Sequence, residues 1–404
     1  MTAFAGKPII LGVCGGIAAY KVADLASKLT QAGATVDVVM TEAATRFVTP
    51  LTFAALTHRE VRTDLWQSWL GDDTGHVALA HTAAALVIAP ATANTLARLA
   101  LGFTDDLLGA VALATRAPML IVPAMEPNMW NHPATQGHVA VLRERGAVVV
   151  EPDAGRMASG LTGVGRLPDT AAILGALRVL LGREGPLAGR RVVITAGGTQ
   201  EALDPVRYIG NRSSGQMGWA LAEAALDRGA AVTLIHGPVH LAPPAGVSAV
   251  PVVSTRELEA AVRAAVPGAA ALIMAAAPAD YRPAQQSTQK MKKTPGQRGL
   301  TLELVTNPDI LAGLRDLPGT ERLVRVGFAA ETEALLDHAR AKLVAKGLDL
   351  IVANEATRSI GAAESAALLV DTAGAEELPI QPKAVTAARI LERVTALVTR
   401  NESL

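Results

Sequence analysis

The chain has 404 residues, half of them hydrophobic and 18% charged, which is ample apolar material for two packed domains and excludes a disordered chain. Lys plus Arg and Asp plus Glu both number 37, so net charge offers no hold to nucleic acid or an anionic membrane, and any anion site has to be local. With only 5 Phe, 4 Trp and 3 Tyr, the cores must be built from Ala, Val, Leu and Ile, the composition of buried parallel strands and their helices, and an α/β class follows.

The single cysteine, Cys14, excludes an intramolecular disulfide and suits a reducing compartment. The start MTAFAGKPIILGVCGG lacks the pattern of a secretory signal, and the apolar runs are broken well short of the ~18 residues of a membrane span. A cytoplasmic protein without a membrane segment is expected.

In chain order, PIILGV reads as a strand, CGG as a turn, and IAAYKVADLASKLTQAG as a helix with Ala18, Val22, Leu25 and Leu29 on one face. Strand TVDVVM completes a βαβ opening whose helix start at Gly15–Gly16 offers a phosphate seat, although the glycine spacing is not that of a dinucleotide fingerprint. ALVIAP predicts a buried strand ending at Pro90, after which ATANT caps a helix; small residues and the polar Thr92, Asn94 and Thr95 let a flat ligand approach the backbone. Asp105–Asp106 read as a helix cap rather than metal ligands, and His236 and His240, separated by Gly-Pro, as no metal pair. PMLIVPAMEPNMWNHPAT repeats strand, loop and helix, so several strand ends converge on one edge, where open α/β sheets bind ligands. The glycine-rich segment after AVVV is either a flap over that edge or a plain connection.

The boundary is predicted in LGREGPLAGRR, residues 181–191, giving domains 1–183 and 188–404. Beyond it VVIT, AAVTLI, ALIMAAA, LVRVGF and LDLIVAN alternate with helices, so two doubly wound, mostly parallel sheets are expected, flavodoxin-like then Rossmann-like. The stretch 190–218 carries a glycine turn and a loop with Arg207, Asn211, Arg212, Ser213 and Ser214 that opens a helix at Gly215–Gly218, either a site suited to a phosphate or carboxylate or a long surface connection between strand and helix. KMKK at 290–293 is either a movable phosphate clamp or a solvated charged turn. Lys342 and Lys346 share a helix face at i,i+4.

GVCGGIAAYK, MTEAA, GHV, APATANTLARLALG and PAM with NMW resemble the flavoprotein decarboxylases that act on cysteine thiols. TAGGTQEALDPVRYIGNRSSGQMG, AAAPADYRPA, KMKK, TNPDIL, GFAAET and LDLIVANEA resemble phosphopantothenate–cysteine ligase, and both halves in this order resemble the bifunctional coenzyme A biosynthesis proteins. The resemblance implies CTP- and Mg²⁺-dependent joining of 4′-phosphopantothenate to L-cysteine through an acyl-cytidylate by the second half. It further implies FMN-dependent decarboxylation of the product to 4′-phosphopantetheine by the first, with thiol oxidation making the carboxylate able to leave as CO₂.

By the same resemblance His76 is the active-site base and Gly15, Gly16, Thr41, Thr92, Ala93, Asn94, Thr95 and Leu96 hold FMN, with Met125, Glu126 and Asn128 at the substrate. Lys290 stabilises activation, Asn211 positions the acyl-cytidylate, and Asp280, Pro308, Asp309, Ile310, Leu311, Phe328, Lys342 and Lys346 contact CTP. Trimeric decarboxylase domains with flavin at subunit interfaces and dimeric ligase domains imply a homo-oligomer, a dodecamer; no metal ligands are assigned.

Four departures stand out. Glu126 replaces the family's asparagine for the substrate carboxylate, which leaves open that Asn128 takes the amide role, that Glu126 is protonated, or that it turns away. Ser159 stands for the flap cysteine that donates a proton, Cys14 for a hydroxyl near the FMN phosphate, and AGGTQ for AGPTRE. A first half kept only as a non-catalytic flavin-binding module is the competing reading.

Overall fold

Runs of β-branched and aliphatic residues can be buried on both faces only between helical layers, and central strands of both halves, ALVIAPA at 85–91 and ALIM at 271–274, are built that way. The computed structural model describes residues 3–66, 75–292, 299–331, 335–355, 362 and 364–402; Lys293 of the KMKK run lies outside them. The chain divides into two compact units between Leu181 and Gly182.

In the first unit the order is β1 (Pro8–Val13), α1 (Ala19–Gln31), β2 (Thr35–Met40), α2 (Glu42–Thr45), α3 (Pro50–Thr57), α4 (Gly75–Thr82), β3 (Ala85–Ala91), α5 (Ala93–Leu101) and α6 (Leu107–Ala114). Then come β4 (Met119–Pro123), α7 (Pro127–Asn131), α8 (Pro133–Glu144), β5 (Val148–Val149), the hairpin β6 (Asp153–Arg156) and β7 (Thr162–Arg166), and α9 (Thr170–Gly182). The sheet order β2-β1-β3-β4-β5 is parallel throughout, with its reversal of direction between β1 and β3. Helix α1 starts at Ala19, three residues later than the Gly15–Gly16 turn suggests, and buries Ala19, Val22, Leu25, Ala26 and Leu29, a 3.6-residue stripe, against one sheet face. Leu96, Leu107, Leu108 and Trp130 fill the other face.

The second unit runs β8 (Arg191–Ala196), β9 (Glu201–Ala202), β10 (Tyr208–Ile209), α10 (Gln216–Leu226), β11 (Ala231–His236), β12 (Ser248–Pro251), α11 (Thr255–Ala265), β13 (Ala271–Met274), β14 (Tyr281–Pro283) and β15 (Leu304–Thr306). It continues with β16 (Val324–Glu331), α12 (Leu335–Lys346), β17 (Leu350–Glu355), β18 (Glu364–Asp371), β19 (Gly374–Pro382) and α13 (Lys383–Glu402). The eight-stranded order is β12-β11-β8-β13-β16-β17-β18-β19. Six strands are parallel, and β18 and β19 close the edge antiparallel, with exposed and buried residues alternating along the first half of β18. Both sheets are therefore mostly parallel and helix-covered. No helix among the described residues is long and apolar enough to cross a membrane.

Candidate active sites

In the first unit the loops after β1 to β4 and the β6–β7 hairpin surround one cavity of about 1250 Å³ at the C-terminal edge of the sheet. Gly15, Gly16, Thr41, Thr92, Ala93, Asn94, Thr95, Met125, Glu126 and Ser159 all line it. The loops can converge because side chains are missing where they meet: a Cβ on Gly15 would lie 2.4 Å from the Ala43 Cβ. Thr41 and Thr92 each cap the helix that follows, accepting from the amides of Ala44 (3.3 Å) and Thr95 (3.2 Å), which fixes both loops at the rim. Asp106 caps α6 through the Gly109 amide at 2.7 Å and stands 3.6 Å from Arg98, which also pairs with Asp105.

The hairpin runs along the cavity, with residues 156–159 and 165–166 in its lining. Its turn is closed by the Gly160 amide on the Met157 carbonyl (3.0 Å), with Ser159 exposed at the tip. Gly163 and Gly165 let it lie against the loop after β4: the Met125 amide donates to the Gly165 carbonyl at 3.0 Å, and Cβ atoms there would stand 2.7 Å from Pro127 and 2.1 Å from the Met125 carbonyl oxygen. Arg156, beside the hairpin's turn, and Arg166, at its base opposite Asp153, add cations to the lining with Lys21 and Arg98. Sequence reading missed all four, because cross-strand pairing and loop packing, not local pattern, bring them to one wall.

Three expected site residues of this unit stand elsewhere. Leu96 is fully buried in the core and does not line the cavity. Asn128 is not in the lining either; its amide is turned onto the Glu126 carboxylate, which also accepts the amides of Asn128 and Met129 as cap of α7. His76, half-buried on the first turn of α4, is absent from the lining of its own chain's cavity. Cys14 also lies behind the wall: it is 1% exposed, and burial pushes its thiol up to about 12 against the opposing Thr95 hydrogen bond.

In the second unit the sheet reverses direction between β8 and β13, and the loops after these two strands are stitched together. Asn211 donates its amide to the Pro278 carbonyl (2.8 Å), and a Cβ on Gly198 would stand 2.4 Å from the Asn211 carbonyl oxygen. Beneath lies a buried polar network. The Glu201 carboxylate accepts the amide (2.9 Å) and hydroxyl (2.8 Å) of Thr255, Thr199 accepts the Ala279 amide (2.9 Å), and Asn307 donates to the Ala279 carbonyl (2.8 Å). It rigidifies the edge on which Asn211 and Asp280 stand.

Helix α10 opens at Gly215, whose positive φ of 75° lets the chain turn in against Val239 and Trp219. Lys290 is exposed on the connection between β14 and β15. Lys342 and Lys346 sit on α12, and Lys346 pairs at 3.2 Å with Asp309, so two residues expected at the nucleotide meet each other. Phe328 and Pro308 are half-buried, whereas Ile310 and Leu311 are core residues that can offer a ligand little beyond backbone. Among the described residues no group of three or more His, Cys, Asp or Glu is placed to hold a metal.

Residues 2–181 match the Flavoprotein family, and residues 187–398 the family of the DNA/pantothenate metabolism flavoprotein C-terminal domain. The chain is 43% identical over 401 residues to the coenzyme A biosynthesis bifunctional protein CoaBC of Vibrio vulnificus strain CMCP6, covering 98% of this chain and all of that one. It is 49% identical over 364 residues to CoaBC of Mycobacterium tuberculosis strain H37Rv, covering 86% of each. A crystal structure of the C-terminal domain of a CoaBC protein is similar at 34% identity, with a TM-score of 0.46, over 54% of this chain and 99% of that one. With both halves matched in the same order and over almost their full length, the chain belongs to the CoaBC family of bifunctional coenzyme A biosynthesis enzymes.

Proposed function

We propose that residues 188–404 ligate L-cysteine to 4′-phosphopantothenate at the expense of CTP, and that residues 1–183 decarboxylate the product to 4′-phosphopantetheine with FMN. The observation that carries the reading is the convergence of ten sequence-selected residues on one cavity in the first unit. At about 1250 Å³ it exceeds the usual ~300–1,000 Å³ of a small-molecule site and has room for a flavin nucleotide with a second molecule. Its donors suit the group: small residues at Gly16 and Ala93 for a flat ring, and Lys21, Arg98, Arg156 and Arg166 for a phosphate and a carboxylate. When bound, FMN supplies the two-electron acceptor that the thiol end of the substrate requires. The flap excludes water and brings Ser159 to the substrate side.

His76 acts in this reading as the base, in a cavity completed by another copy of the chain. Support comes from Ile17, Tyr20 and Met129, which line the cavity yet are 60%, 60% and 49% exposed, an apolar rim suited to being covered. Trimeric first units and dimeric second units would build a dodecamer.

In the second unit a carboxylate needs a leaving group, which CTP provides as a mixed anhydride. Lys290 stabilises the triphosphate, to which a bound Mg²⁺ would add further positive charge, and Asn211 holds the acyl-cytidylate for attack by cysteine. Asp280, Pro308 to Leu311, Phe328, Lys342 and Lys346 surround the nucleotide.

The test is a single incubation with 4′-phosphopantothenate, cysteine, CTP and Mg²⁺. The reading requires pyrophosphate, CMP, CO₂ and 4′-phosphopantetheine together. Accumulation of phosphopantothenoylcysteine without CO₂ would make the first unit a non-catalytic flavin-binding module.

A further inference from the structure

The strap between β14 and β15 carries Lys290, and next to that lysine it is tied to the turn between β9 and β10. Asp204 is 2% exposed and takes three backbone N–H groups from two distant segments: Val206 (2.7 Å) and Arg207 (2.8 Å) on Oδ1, and Met291 (3.1 Å) on Oδ2. Arg207 completes the grip, donating to the Met291 carbonyl at 2.9 Å, and the Ser287 amide donates to the Leu203 carbonyl at 2.9 Å. Both backbone groups of the residue next to Lys290 are thus held by the turn between β9 and β10.

We propose that Asp204 is a positioning residue for Lys290: its buried carboxylate latches the strap through the Met291 amide and so fixes the lysine over the nucleotide site. The geometry divides the carboxylate's work. Oδ1 builds the 204–207 turn, while Oδ2 reaches the strap. Burial alone would raise this carboxyl's pKa; the amides of Val206, Met291 and Arg207 and the Arg207 charge outweigh that and leave it below the ordinary range. The latch is therefore set at neutral pH. An asparagine keeps an acceptor for the turn but turns an NH₂ donor toward the Met291 N–H, breaking only the contact to the strap.

The inference rests on the assignment of Lys290 to CTP activation, so the experiment is a double-mutant cycle on the full chain. CTP-dependent acyl-cytidylate formation is measured for wild type, Asp204→Asn, Lys290→Gln and the double variant, with amide exchange at Met291 and in β8. Asp204→Asn should slow activation by ~10-fold or more, yet by less than ~2-fold when Lys290 is already Gln. Met291 should exchange faster while β8 stays protected. An equal loss in both backgrounds, or no loss beside an intact Lys290, overturns the inference. If Lys290→Gln alone leaves activation unchanged, the assignment of Lys290 fails and the latch falls with it. Should β8 lose protection in Asp204→Asn, Arg207→Gln, which removes the bond to the Met291 carbonyl, is taken through the same cycle and judged by the same two outcomes.

Discussion

The side-chain amide of Asn128 points at Glu126, 3.2 Å from Oε1, and the other carboxylate oxygen accepts the amides of Asn128 (2.8 Å) and Met129 (3.3 Å). Glu126 is occupied as the cap of α7 and takes Asn128 with it, although it also lines the cavity. Glu126→Ala should cost about 1 kcal/mol of cap and lower the melting temperature of the first unit by about 2–4 °C. Glu126→Gln keeps an acceptor, so its melting temperature should stay within about 1 °C of wild type. Because it removes a negative charge from a cavity that is to receive a carboxylate, its KM for phosphopantothenoylcysteine should fall by up to ~10-fold, equivalent to about 1.4 kcal/mol of relieved repulsion. A raised KM would show that the charge is useful.

Ser159 sits at the exposed flap tip, where the family has a thiol acid. An unperturbed thiol titrates near about 8.5, whereas an alkyl hydroxyl is a far weaker acid, so in the proposed reaction the proton comes from another flap-side group or from water relayed by Ser159. Single-turnover CO₂ release should fall only ~2- to 5-fold in Ser159→Ala and be preserved or raised in Ser159→Cys. Complete loss in the alanine variant, with FMN and oligomer intact, would make Ser159 indispensable.

Much of this was legible in the chain because parallel sheets write plainly. PIILGV and ALVIAP can only be buried strands, and the small or hydroxylic residues that follow them must stand at the C-terminal edge. What stayed hidden depends on contacts far apart in sequence. Arg166 faces Asp153 only through the hairpin register, and Asp204 meets Met291 across 87 residues. Leu96 adjoins the polar Asn94 and Thr95 in sequence, but helical rotation turns it into the core. That Glu126 caps α7 depends on the turn that brings the amides of Asn128 and Met129 to its carboxylate, which the local pattern does not show.

Cys14, buried with its thiol pushed up to about 12, should be inert. Its raised folded pKa means that the associated stability is present below the unfolded value of 9.0 and is lost as pH rises from there through about 12. Native protein should react with a thiol reagent at pH 8 only as fast as it opens, and Cys14→Ala should flatten the loss of stability above pH 9. Stoichiometric labelling within seconds would contradict the buried position.

The central claim is that two separate chemistries reside in one chain, and crossing two substitutions tests it most directly. In the folded full-length protein, CO₂ release from phosphopantothenoylcysteine and CTP-dependent ligation are measured side by side for His76→Asn and Lys290→Gln. His76→Asn should abolish the first and leave the second within ~2-fold of wild type, and Lys290→Gln should do the reverse. Loss of both activities from either substitution in a folded protein would contradict the account.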